Sequence, residues 1–103
     1  MSKEKLTGEA SPEQIELWKK KHRDIFRLVV DGHVGYFKKP DRKTLSYATV
    51  AGAKDPIKFN EVLMNNCWVG GSEEIKTDDS LFFSASGKLA ELIEIKEAEL
   101  VKL

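Results

Sequence analysis

The chain has 103 residues, 17 Lys+Arg against 17 Asp+Glu, 41% hydrophobic residues and one cysteine. That length suits one domain with a core of its own, and the apolar content excludes a disordered chain. Zero net charge excludes uniform coating of nucleic acid or of an anionic membrane. The zero is nevertheless a sum of opposites. Residues 1–50 carry 11 basic and 7 acidic side chains (net +4), and residues 51–103 carry 6 and 10 (net −4).

Residues 1–10 are polar and aperiodic, which predicts a mobile tail. They contain no apolar stretch of the signal-peptide kind, and no apolar run approaches the ~18 residues that span a bilayer. The lone Cys67 cannot close an internal disulfide. Together these features predict a soluble, cytoplasmic protein with no membrane partner, whose residues 11–103 form a single domain.

Ser11-Pro12-Glu13-Gln14 is a helix start: a capping hydroxyl, a proline suited to the first helical position, and Gln14 placed to complete a capping box. The helix is expected to run to residue 21 or 22, with Ile15, Leu17 and Trp18 as its apolar contacts. Residues 24–39 read as a β-hairpin. IFRLVV alternates and is rich in β-branched and aromatic residues, and Asp31-Gly32 is a type I′ turn pair. That turn sets Val30 opposite His33, Val29 opposite Val34, Leu28 opposite Gly35 and Phe26 opposite Phe37. Phe26, Leu28, Val30 and Phe37 then form the core face. Arg27, Val29, Val34, Tyr36 and Lys38 form a mixed face that a helix or a partner could cover.

Pro40 ends the second strand, and Asp41 caps a helix from residue 42 to about 53. Asp55-Pro56 starts another, with Phe59, Val62, Leu63 and Cys67 along one stripe. It is expected to stop near Trp68, with Gly70-Gly71 as terminator and a polar, acidic loop over residues 72–79. Asp78 or Asp79 caps the last helical region, where Leu81, Phe82, Ala85, Leu89, Leu92, Ile93, Leu100 and Leu103 share a broad stripe. Gly87 costs about 1 kcal/mol relative to Ala within such a run, so a kink or two helices are expected. Glu91, Glu94 and Glu97 make the opposite face. The predicted fold is α+β: an N-terminal helix, a two-stranded antiparallel β-hairpin and a helical C-terminal half. An isolated hairpin is marginal in water, so it must pack on helices or extend across an interface between copies.

The chain is poor in chemistry. His22 and His33 have no second ligand at metal-binding spacing. His22, ending the first helix, is expected to carry positive charge favourably there. Cys67 reads as a small core residue. Gly70-Gly71-Ser72 lacks the frame of a phosphate loop, and Glu73-Glu74 after it repel phosphate. Glu73, Glu74, Asp78 and Asp79 lack a calcium-loop pattern. No catalytic residue, metal or cofactor is predicted. Two binding surfaces can be named. The first is apolar: Trp68, Leu89, Leu92, Ile93 and Leu100, suited to a protein partner or a second copy. The second is the basic stretch 19–43 with its aromatics, where Lys19, Lys20, Arg27, Tyr36, Lys38 and Lys39 would bind nucleic acid. Net charge and the absence of an RNA-binding signature weigh against this second surface.

Four stretches carry a family resemblance: LVVDGHVGYFKKP, PDRKTLSYA, VLMNNCWVGGSEEI, and the ending DDSLFFSASGKLAEL with KEAELVKL. In layout and composition the chain from Trp18 onward resembles small phage or prophage proteins of the tail-assembly-chaperone type. The resemblance implies a non-catalytic role, binding the long helical tape-measure protein while the tail tube polymerises around it. It transfers no individual functional residue.

Overall fold

A computed structural model describes residues 6–93 and 98–103. Its elements run α1 (Pro12–His22), β1 (Ile25–Val30), β2 (His33–Lys38), α2 (Arg42–Gly52), α3 (Pro56–Cys67), β3 (Trp68–Gly71), a short α4 (Glu74–Thr77) and α5 (Asp79–Leu89), followed by a 3-10 turn (Ala90–Leu92). The strands form one antiparallel sheet in the order β1-β2-β3. The fold is therefore α+β as expected, but with three strands rather than two.

The helix starts follow the capping chemistry. Ser11 Oγ accepts from the Gln14 N–H, Asp41 Oδ1 from the Thr44 N–H, Asp55 Oδ1 from the Ile57 N–H and Asp78 Oδ1 from the Leu81 N–H. Each satisfies a backbone donor that has no partner within the helix. The Asp41 carboxyl is held below its ordinary pKa by the hydrogen bond from the Thr44 backbone. The hairpin turns at Asp31 (φ 45°) and Gly32 (φ 75°), the left-handed pair that a type I′ turn needs. Its register is the expected one, from Val30↔His33 to Ile25↔Lys38.

The third strand replaces the expected terminator. Helix α3 ends at Cys67, and the chain passes directly into β3 alongside β2. Gly71 makes this approach possible. Its φ is +125°, and a Cβ there would lie 2.3 Å from the Val34 carbonyl oxygen. Ser72 N–H then donates to that same oxygen at 2.8 Å. Residues 72–79, expected as a loop, contain α4, whose Ile75 is fully buried.

Residues 6–10, expected within a mobile tail, are hydrogen-bonded to the hairpin. Thr7 N–H donates to the Gly32 carbonyl, Val34 N–H donates to the Thr7 carbonyl, and Ala10 N–H donates to the Tyr36 hydroxyl. This segment sits on the same edge of β2 as β3. Residues 1–5 lie outside the described residues.

The two faces of the sheet have different covers. Phe37 joins Leu63, Met64, Cys67, Ile75, Ala85, Leu89 and Leu92 in the core, with Leu28 and Val30 packed on it. On the opposite face Trp18 of α1 lies over Tyr36, ring centroids 5.1 Å apart, and abuts Gly70, where a Cβ would come within 2.7 Å of the indole. Helix α1 therefore covers the Tyr36 part of the mixed hairpin face, while Arg27 and Val29 on that face stay about half-exposed. Helix α1 buries no residue fully, so Trp18 is its main anchor.

The last helical region departs most from expectation. Helix α5 runs unbroken through Gly87 and ends at Leu89, because the 3-10 turn at Ala90–Leu92 closes it. Residues 98–103 have no helix or strand. Leu100 and Leu103 are therefore off the predicted stripe, and Leu100 is 100% exposed. Of the expected acidic row, Glu94 and Glu97 lie outside the described residues. No helix among the described residues is long and apolar enough to cross a membrane.

Candidate groove beside the free sheet edge

Strand β1 is the outer strand of the sheet, and its register fixes where its backbone groups point. The two-residue turn makes Val30–His33, Leu28–Gly35 and Phe26–Phe37 the hydrogen-bonded pairs. Ile25, Arg27 and Val29 therefore turn their N–H and C=O groups away from β2. The bonds of Val34 agree with this phase, since its N–H and C=O face Thr7 and Ser72 on the other side. Among the described residues, no backbone hydrogen bond outside the sheet ladder reaches Ile25, Arg27 or Val29.

A groove follows this edge. It consists of two cavities of about 650 and 420 Å³ that share Phe26, Glu91 and Leu92. Its apolar lining comes from Phe26, Leu28, Val29 and Phe37 of the hairpin and from Leu89 and Leu92 beyond it. Its rim is mainly basic: Lys19, Arg23, Arg27, Lys39 and Lys88 against Asp24 and Glu91. Some of these charges are paired: Lys39 with Asp24 at 3.1 Å, Lys88 with Glu91 at 3.4 Å, and Arg27 with Glu9 at 3.9 Å. Surface pairs of this kind are each worth about 0–1 kcal/mol and yield readily to a competing charge.

The residues expected to form an apolar docking surface are dispersed. Leu89 is 0% and Leu92 7% exposed, and both belong to the core, with Ile93 packed against it. They support the groove from beneath and offer no open stripe. Trp68 is half-buried, edge-on to Phe37, with Lys76 Nζ 4.8 Å from its ring centroid. The nucleic-acid set fares similarly. Tyr36 is 1% exposed beneath Trp18, so its ring has no face to stack on a base. Lys19, Arg27 and Lys39 each face a carboxylate. Sequence reasoning missed the strand edge as a site because edge position is a property of sheet order, and β3 is hidden in a glycine pair.

The structure also brings together a Ser-His-acid set. His33 Nδ1 shares a 2.8 Å hydrogen bond with Ser72 Oγ, and His33 Nε2 lies 3.8 Å from Glu74 Oε2. Ser72 is buried, its N–H is bonded to Val34, and Gly8 lies over it so closely that a Cβ there would be 2.3 Å from the Ser72 nitrogen. The hydrogen bond ties the residue after β3 to the start of β2. His22 departs from expectation: burial first, then Lys38 and Lys21, push its pKa down and oppose the positive charge predicted there.

Cys67 is buried, and desolvation pushes its thiol pKa up to about 11. A chromogenic thiol reagent at neutral pH is therefore expected to leave the native protein unlabelled and to react fully in denaturant. The raised value also gives a sign. The stabilisation is complete below the unfolded thiol's pKa of ~8.5 and is lost as pH rises through about 11. Prompt stoichiometric labelling at neutral pH would contradict this.

No group of three or more His, Cys, Asp or Glu that could hold a metal converges among the described residues. No family model, curated protein or solved structure matches the chain.

Proposed function

We propose that this chain is a non-catalytic assembly chaperone or adaptor that holds an amphipathic segment of a client protein in the groove beside β1. The observation that carries this reading is the meeting of a strand edge that has no backbone partner among the described residues with an apolar, basic-rimmed groove. Backbone groups of the edge supply affinity to an extended segment, and the apolar lining selects its side chains. The resemblance noted in the sequence supplies the client class, a tail or tape-measure-type protein. The surface differs from the helical stripe expected, because Leu89 and Leu92 are occupied in the core.

The test is co-expression with a tape-measure-type protein, followed by co-purification and calorimetry. Phe26 lines both cavities, is 37% exposed and lies outside the core, so Phe26→Asp leaves the fold intact while placing a carboxylate in the apolar lining. It is expected to weaken client binding by about tenfold or more. Equal binding by wild type and Phe26→Asp, or none by wild type, overturns the proposal.

A further inference from the structure

Part of the basic stretch 19–43 is not neutralised within the fold. Lys21, Lys38, Arg42 and Lys43 make no ion pair among the described residues. Lys21 lies in the last turn of α1, Lys38 ends β2, and Arg42 and Lys43 open α2. Lys38 joins these elements electrostatically. Burial, then Lys38 and Lys21, lowers the His22 pKa. The Thr44 hydrogen bonds, then Lys38 and Lys43, lower that of Asp41. The Asp41 carboxylate beside these cations is already engaged as the α2 cap.

Helix α2 adds an exposed aromatic ring. Its inner side holds the buried Ala48 and brings Gly52 against Phe59 of α3. On its outer side Arg42, Lys43, Ser46, Tyr47 and Val50, at helical spacing, line a shallow concavity of about 680 Å³. Tyr47 is 66% exposed and Val50 75%. Among the described residues no acidic side chain lines this concavity.

We infer that this surface binds single-stranded nucleic acid, with Lys21, Lys38, Arg42 and Lys43 on the phosphates and the Tyr47 ring stacked on an unpaired base. The site is separate from the β1 groove and goes beyond the assembly role. Cations that track a backbone beside an exposed aromatic ring are the means by which single strands are held. A duplex keeps its bases stacked on one another and offers none to Tyr47. Tyr47 thus takes the role expected of Tyr36, whose ring is buried. An acidic helix of a partner protein fits less well. Such a helix is gripped by apolar anchors over two turns, and this concavity supplies only Tyr47 and Val50. Four cations on four phosphates give log K against log salt a slope of roughly −3.

The test is fluorescence anisotropy of a labelled thymidine oligonucleotide of about 12 residues, titrated with the full chain at several salt concentrations. Wild type is expected to bind at low salt with that slope. Arg42→Glu/Lys43→Glu changes two exposed side chains and is expected to weaken binding about tenfold or more and to flatten the slope. Tyr47→Ala is expected to weaken binding about fivefold or more with the slope unchanged, and Tyr47→Phe to bind like wild type. Unlabelled single strand should displace the probe, and duplex of equal length or polyglutamate should do so far less. The inference is overturned by a wild type that fails to bind at low salt, or by Tyr47→Ala binding like wild type. It is also overturned by duplex or polyglutamate competing as well as the single strand, which would make the patch a general anion or acidic-protein surface.

Discussion

Leu92→Glu is expected to destabilise the whole domain instead of selectively removing an interaction. Leu92 is 7% exposed and belongs to the core with Leu89, Phe37 and Leu63. Truncating a leucine in such a position costs about 2–5 kcal/mol, and a carboxylate adds a desolvation penalty unless it can reach water. Against a total stability of roughly 5–15 kcal/mol for a domain of this size, much of the margin is consumed. Urea titration followed by circular dichroism should show an earlier midpoint. A variant with an unchanged midpoint and lost client binding would return Leu92 to the surface role that the sequence pattern suggests. Leu89→Ala, at 0% exposure, should behave like Leu92→Glu without the charge.

Gly71→Val is the second substitution with a large expected effect. The backbone there has φ +125°, a region closed to branched side chains. The new Cβ would also lie 2.3 Å from the Val34 carbonyl oxygen, backbone that cannot yield without moving β2. Strain and clash together are expected to cost about 3 kcal/mol or more, and the register between β2 and β3 is the first thing lost. Gly87→Ala is the matching control. Gly87 lies inside α5 with nothing within 4 Å of where a methyl group would sit, so alanine there is expected to stabilise by about 1 kcal/mol. Thermal denaturation of both variants checks the pair, and equal shifts of the same sign would contradict the assignment.

These two sites show what the sequence can and cannot convey. Ser11-Pro12, Asp41, Asp55-Pro56 and Asp31-Gly32 act through neighbours within four residues, so local chemistry places these helix starts and the hairpin turn correctly. Gly70-Gly71 misleads because a glycine pair looks the same whether it stops a helix or lets a backbone approach. Only the position of Val34 distinguishes the two. Ile75 hides in an acidic stretch because one apolar residue among charges has no period to reveal it. Leu89 and Leu92 sit at helical spacing whether they face a core or a partner, and periodicity cannot choose between those. The groove is illegible for the same reason: it belongs to the outer strand of a sheet whose third member has no local signal.

The bonds of Val34 bear on how the chain folds. Its N–H goes to Thr7 and its C=O receives Ser72, so segments distant in sequence on either side converge on one residue of the central strand. The hairpin itself closes over two residues, a microsecond event. The two outer partners must instead close long loops before any contact rewards them. Assembly is therefore ordered: the β1–β2 ribbon comes first, with both of its edges bare, and the β2 edge is sealed only when both chain segments arrive. Until then the nascent protein presents two open edges, and among the described residues only the one at β2 acquires partners.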